Sequence, residues 1–105
     1  IHIEDLCRAH LLALAKLEKS TELIYNLGNG KGYSVKEVIN TVKQVSGKNF
    51  TIIEGPRRAG DPAILTADSV KAKNELGWEP QFGELETIVE TAWKWHSNNP
   101  DGYLD

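Results

Sequence analysis

The chain is poor in the residues that build special chemistry. Cys7 is its one cysteine, so no disulfide can form within it, which fits a reducing cytoplasm. Methionine is absent, even at position 1, and the opening Ile1-His2-Ile3 reads as the start of a piece cut from something longer. No apolar run approaches the roughly 20 residues that a membrane-spanning helix needs, and the first residues lack the basic-then-apolar order of a leader. Positive charge is scarce too. Twelve Lys and Arg against fifteen Asp and Glu leave a net charge of -3, which argues against nonspecific nucleic-acid binding through a basic face. Repeats and low-complexity tracts do not occur. What remains, 105 residues of which 40% are hydrophobic and 26% charged, is ordinary material for one globular domain with a single core.

Periodicity divides that material into elements. Glu4 and Asp5 put negative charge at the start of a helix lined by Leu6, Ala9, Leu12, Ala13 and Leu17, with Lys16 and Lys19 at its end; the two acids read as caps. Residues 22–27 (E-L-I-Y-N-L) read as a short buried strand, followed by the loop Gly28-Asn29-Gly30-Lys31-Gly32. Ser34 and Glu37 form a capping box ahead of Val35, Val38, Ile39, Val42 and Val45, and Gly47 stops that helix. Residues 50–54 read as a second strand. A short helix capped by Asp68 ends at Leu76-Gly77, and a last one, roughly 84–97, presents Leu85, Ile88, Val89, Ala92, Trp93 and His96. Trp93 is expected in the core and Trp95 toward solvent or a partner.

The segment with the most chemistry is Pro56-Arg57-Arg58-Ala59-Gly60-Asp61-Pro62. Its prolines restrict the loop, the two guanidinium forks suit phosphate, and Asp61 can accept hydrogen bonds from a sugar hydroxyl. Phosphate plus sugar describes a nucleotide. The alternative is a surface turn whose arginines pair with nearby carboxylates. Other constellations carry less. The glycines of 28–32 run G-x-G-x-G, not the G-x-G-x-x-G of a dinucleotide cradle, so a structural turn feeding a helix is favoured. His2, Cys7 and His10 could be imagined around zinc, but a fourth ligand is missing nearby; a packed cysteine and ordinary histidines are expected, and no metal.

Taken together, Ile1-His2-Ile3-Glu4-Asp5-Leu6, Tyr25-Asn26-Leu27-Gly28-Asn29-Gly30, Ser34-Val35-Lys36-Glu37-Val38, Pro56-Arg57-Arg58-Ala59-Gly60-Asp61, Lys73-Asn74-Glu75-Leu76-Gly77-Trp78 and Trp93-Lys94-Trp95-His96 resemble the C-terminal region of the UDP-glucose 4-epimerase family. These are extended short-chain dehydrogenase/reductases. The resemblance spans essentially all of the chain. It implies an α/β fold of short strands and about four helices, with residues 1–105 as a single C-terminal substrate-binding domain and the N-terminal Rossmann domain absent. In the family, tightly bound NAD removes and returns a hydride at C4 of a UDP-hexose, while a Tyr-x-x-x-Lys pair moves protons. Tyr25 and Tyr33 are instead followed four positions later by Asn29 and Glu37, so no catalytic residue is assigned and no NAD is expected on this fragment. The family's Arg-Asp-Tyr would fall just upstream of Ile1. The resemblance makes Arg58 a diphosphate ligand, Asp61 a ribose ligand and Val35 a wall of the uridine pocket, and it places Leu65 where side-chain bulk varies near the sugar. It further implies an inert, cytoplasmic fragment that self-associates through uncovered apolar residues around Ile1, Ile3, Tyr25 and Leu27. The competing class is a free-standing, noncatalytic nucleotide- or anion-binding module.

Overall fold

The computed structural model describes residues 1–17 and 22–103; Lys19, expected to close the first helix, lies outside them. Four helices form: α1 (Ile3–Leu17), α2 (Val35–Ser46), α3 (Val70–Leu76) and α4 (Leu85–Asn98). The fold divides into two units, Ile1–Gly32 with Leu65–Gly83, and Tyr33–Ile64 with Glu84–Asp105. None of the helices among the described residues is long and apolar enough to cross a membrane.

The α/β expectation is wrong for this chain: among the described residues there are four helices and no strand. A strand exists through the hydrogen-bond ladder to its neighbour, whereas alternation of side chains is a property of one segment. Residues 22–27 show that alternation, with Leu23, Tyr25 and Leu27 half-buried and Glu22, Ile24 and Asn26 exposed, but no ladder joins them to another segment among the described residues. Side chains of α3 hold the segment instead. The Tyr25 hydroxyl donates to Glu75 Oε2 at 2.8 Å, and Lys71 Nζ donates to the Ile24 carbonyl at 3.1 Å. The bond from Tyr25 keeps the Glu75 carboxyl below its ordinary range. Residues 50–54 are exposed throughout.

The first unit is organised by Asp5. Its side chain is fully buried and accepts the backbone N–H groups of Gln81, at 2.7 Å, and Phe82, at 2.9 Å, with Arg8 Nη1 at 3.3 Å. Asp5 is thus a tertiary anchor, not the helix cap that its place in the first turn implies. His2 does the capping, its Nδ1 accepting the N–H of Glu4 at 3.1 Å. One turn of α1 therefore holds a segment 76 residues away. The Asp5 carbonyl adds a second hold by accepting Trp78 Nε1–H at 2.8 Å. Trp78 is 0% exposed and forms the core with Ala9 and Ala72, against which Leu12, Tyr25, Leu27 and Leu76 pack. The two alanines let α1 and α3 come close, and the indole fills the space beside them.

In the second unit α2 packs against α4, and Val89 is the buried residue of α4. Trp93 is 36% exposed and so not the core tryptophan expected of it. Helical spacing identifies a face, and it does not say which residue of that face the partner covers. Trp95 is likewise exposed and meets Tyr103 with ring centres 5.4 Å apart.

Removing the Asp5 carboxylate strands two backbone donors where water is scarce. Asp5→Ala should lower unfolding free energy by about 3 kcal/mol, and Trp78→Phe, which loses one hydrogen bond and leaves part of the indole's space empty, by about 2 kcal/mol. Urea unfolding of the two variants measures both. Equal losses, or an Asp5→Ala midpoint unchanged from the parent, would contradict this account of the core.

Candidate functional site

The Pro-Arg-Arg loop closes on itself. Asp61 N–H meets the Arg58 carbonyl at 3.4 Å, forming a four-residue turn with Gly60 in its third position at φ 88°. That backbone conformation favours glycine over any residue with a Cβ. Both arginines then turn inward to Asp61. Arg58 Nε donates to Asp61 Oδ2 at 3.0 Å, and Arg57 Nη2 donates to the Asp61 carbonyl at 2.9 Å. Arg58 pairs with a nearby carboxylate, as the surface-turn alternative has it, and Arg57 with a backbone carbonyl, but the residue both reach is the loop's own sugar-binding candidate. The pairing consumes little of the binding capacity. Arg58 engages through Nε, so the Nη end of a side chain that is 85% exposed still points donors outward, and Asp61, 50% exposed, retains Oδ1 as an acceptor. Side by side, an exposed cationic fork and a carboxylate oxygen can serve a phosphate and a hydroxyl at once.

Of the four site residues expected from sequence, Arg58 and Asp61 are brought into direct contact. Val35 belongs to the same unit and stands exposed at the first position of α2. Leu65 is 85% exposed and belongs to the other unit. Val35 owes its position to the capping box. Ser34 Oγ accepts the Glu37 N–H at 3.2 Å, and a Glu37 carboxylate oxygen accepts the Ser34 N–H at 2.7 Å. The bond from the Ser34 backbone, then that from its hydroxyl, holds the Glu37 carboxyl below its ordinary value.

The glycine loop is a packing device. Ser69 Oγ donates to the Gly28 carbonyl at 2.8 Å and accepts the Gly28 N–H at 3.1 Å. A Cβ on Gly28 would sit 2.9 Å from Ala67 Cβ. The close approach that this glycine permits is thus to the chain's own residues 67–69. Those residues do not fit a dinucleotide pyrophosphate, whose cradle needs the glycine backbone turned toward a ligand at a strand-to-helix turn. A cavity of about 450 Å³ lies between this loop, residues 66–70 and Trp78; Arg58, Asp61, Val35 and Leu65 are not among the residues lining it. Cys7 is exposed rather than packed, because it sits on the side of α1 away from Ala9. His10 is exposed as well, with Nδ1 at 2.8 Å from the Leu6 carbonyl, and no group of three metal-binding side chains occurs among the described residues.

No family model matches the chain. Curated relatives do. The UDP-glucose 4-epimerase of Halalkalibacterium halodurans is 53% identical over 104 residues, which is 98% of this chain and 31% of that protein. The UDP-glucose 4-epimerase of Streptomyces lividans is 49% identical over 100% of this chain and 32% of its own length. A solved UDP-glucose 4-epimerase superposes with a TM-score of 0.91 at 49% identity, covering 100% of this chain and 32% of the other. The enzyme from Bifidobacterium longum, solved in complex with NAD+ and UDP, gives 0.86 at 36% identity over 98% of this chain and 30% of its own. The chain therefore spans about a third of the length of the relatives it matches.

The capping box in front of Val35 makes a pH prediction. Glu37 has a depressed folded-state pKa, so its contribution to α2 is present above the ordinary value of 4.5 and is lost as pH falls through the lower folded value. The stability difference between the parent and Glu37→Gln should shrink as pH drops from about 6 to about 3. In an NMR titration, Ser34→Ala should move the Glu37 midpoint only partway up, because the Ser34 N–H remains. A Glu37 midpoint at the ordinary value in the parent chain would remove the box from the account.

Proposed function

Because this chain belongs to the UDP-glucose 4-epimerase family and matches the C-terminal part of its members, we propose that it supplies the UDP-gripping portion of a longer UDP-hexose 4-epimerase. The observation that carries the reading is the closed Arg58–Asp61 turn. It sets an outward guanidinium beside a carboxylate oxygen in a chain whose structural neighbours include one solved with UDP.

In this reading Arg58 meets the diphosphate through its Nη donors. Asp61 accepts a ribose hydroxyl on Oδ1, Val35 presents an apolar surface to the uracil ring, and Leu65 limits the bulk allowed near the sugar. Residues 1–105 serve as one C-terminal substrate-binding region. Binding is the whole contribution of this chain. It carries no Tyr-x-x-x-Lys pair, its glycine loop does not fit a dinucleotide pyrophosphate, and the relatives solved with NAD are about three times its length. Hydride transfer therefore belongs to a Rossmann domain elsewhere in the longer protein, and the single cysteine suits a cytoplasmic setting.

Partner contacts follow from exposed apolar residues. Of the four named from sequence, Ile1 and Ile3 are exposed, whereas Tyr25 and Leu27 pack on the core. The better candidate is the side of α1 formed by Ile3, Cys7, Leu11 and Leu14, all exposed at helical spacing. In the longer protein this side meets the remaining domain; in the isolated chain a second copy covers it.

Two measurements test the reading. The isolated 105-residue chain with added NAD should not interconvert UDP-glucose and UDP-galactose, and turnover by a preparation cleared of host epimerase would contradict the assignment. In the full-length protein, Arg58→Ala should weaken UDP binding by about 2 to 3 kcal/mol by calorimetry. Unchanged UDP affinity would show that the arginine lies outside the site.

A further inference from the structure

The two arginines of the loop are chemically alike, and the structure gives them different work. Arg58 bonds the Asp61 side chain, and Arg57 bonds the Asp61 backbone carbonyl, at 2.9 Å from Nη2. The second bond falls on the backbone of the residue that ends the turn. Asp61 is the last residue of that turn, its N–H bond to the Arg58 carbonyl is long at 3.4 Å, and Gly60 before it has the broad conformational freedom of glycine. With a long closing bond and a glycine hinge, the backbone of Asp61 would otherwise be held mainly through its side chain's bond to Arg58. The Arg57 guanidinium, donating from Nη2 to the Asp61 carbonyl, adds a direct restraint on that backbone.

We propose that Arg57 is a positioning residue: it holds Asp61, and through Asp61 the guanidinium of Arg58, in the orientation that receives a nucleoside diphosphate, and does not itself bind the phosphate. This rests on the assignment of Arg58 to phosphate and Asp61 to ribose. The two roles differ in which ligands feel the loss of Arg57. A phosphate ligand matters only when phosphate is present, whereas a residue that sets Asp61 matters for the nucleoside as well.

The test compares UDP with uridine on the full-length protein, by calorimetry for UDP and by NMR line-shape titration for uridine. Arg57→Ala should weaken uridine binding by about fivefold, as expected for one hydrogen bond acting on Asp61, and UDP binding by at least as much, because Arg58 is set through Asp61. Arg57→Lys, whose amino group can reach the same carbonyl, should recover most of both affinities. In a background of Arg58→Ala with Asp61→Ala, adding Arg57→Ala should have no further effect, because nothing is left to position. A loss confined to UDP, or one that persists in that background, would make Arg57 a phosphate ligand and overturn the proposal. Unchanged affinity for both ligands in Arg57→Ala would overturn it as well. Failure of the underlying site is separately visible: Arg58→Ala and Asp61→Ala would then each leave UDP affinity at the parent value.

Discussion

A single buried carboxylate ties the first unit together. Asp5 sits in the opening turn of α1, yet its oxygens terminate the backbone of residues 81 and 82, and its carbonyl receives the Trp78 indole. Burying a carboxylate is costly unless its oxygens are satisfied, and here two backbone donors and Arg8 satisfy it. The consequence is positional. With 81 and 82 fastened to α1, Trp78 is drawn into the gap beside Ala9 and Ala72, and α3 follows because it ends one residue before Gly77. Residues 66–69, just upstream of α3, are in turn held on the glycine loop by Ser69. A core of one tryptophan and two alanines is small, so a directional anchor does work that hydrophobic area would do in a larger domain.

The second unit reaches its order by local means. The capping box starts α2, α4 covers it, and the Pro-Arg-Arg loop is closed by bonds among residues no more than four apart. That locality suits a binding loop. Its closing bonds lie among its own residues, so fewer conformations are left to lose when a ligand arrives. The proposed grip depends on this preorganisation more than on the number of charges, since both arginines are exposed and bulk solvent weakens each one's attraction for a phosphate.

What could be read in the sequence follows the same division. The Ser34–Glu37 box, the stop at Gly47 and the extent of α4 were legible because their causes lie within a few residues. The turn that joins Arg57, Arg58 and Asp61 closes among near neighbours for the same reason, and its role toward a ligand is the proposal made above. Misreadings arose where distant partners decide. Residues 22–27 have the alternation of a strand without a neighbouring strand, and Asp5 looks like a cap until residues 81 and 82 are brought to it. Trp78, in a stretch without periodicity, is the buried tryptophan, while Trp93, with clean helical spacing, is not. One signal was available: an acid in a first turn facing the same way as Ala9 is aimed at the core, and its carboxylate must then find donors.

Hydrogen exchange on the full-length protein, followed residue by residue with and without UDP, tests the division between a fixed core and a ligand-gripping loop most directly. The account predicts that the Gln81 and Phe82 amides exchange slowly in both states, through their bonds to Asp5, and that the amides of Arg58 to Asp61 slow when UDP is added. Fast exchange at Gln81 and Phe82, or UDP protection that leaves Arg58 to Asp61 untouched, would contradict it.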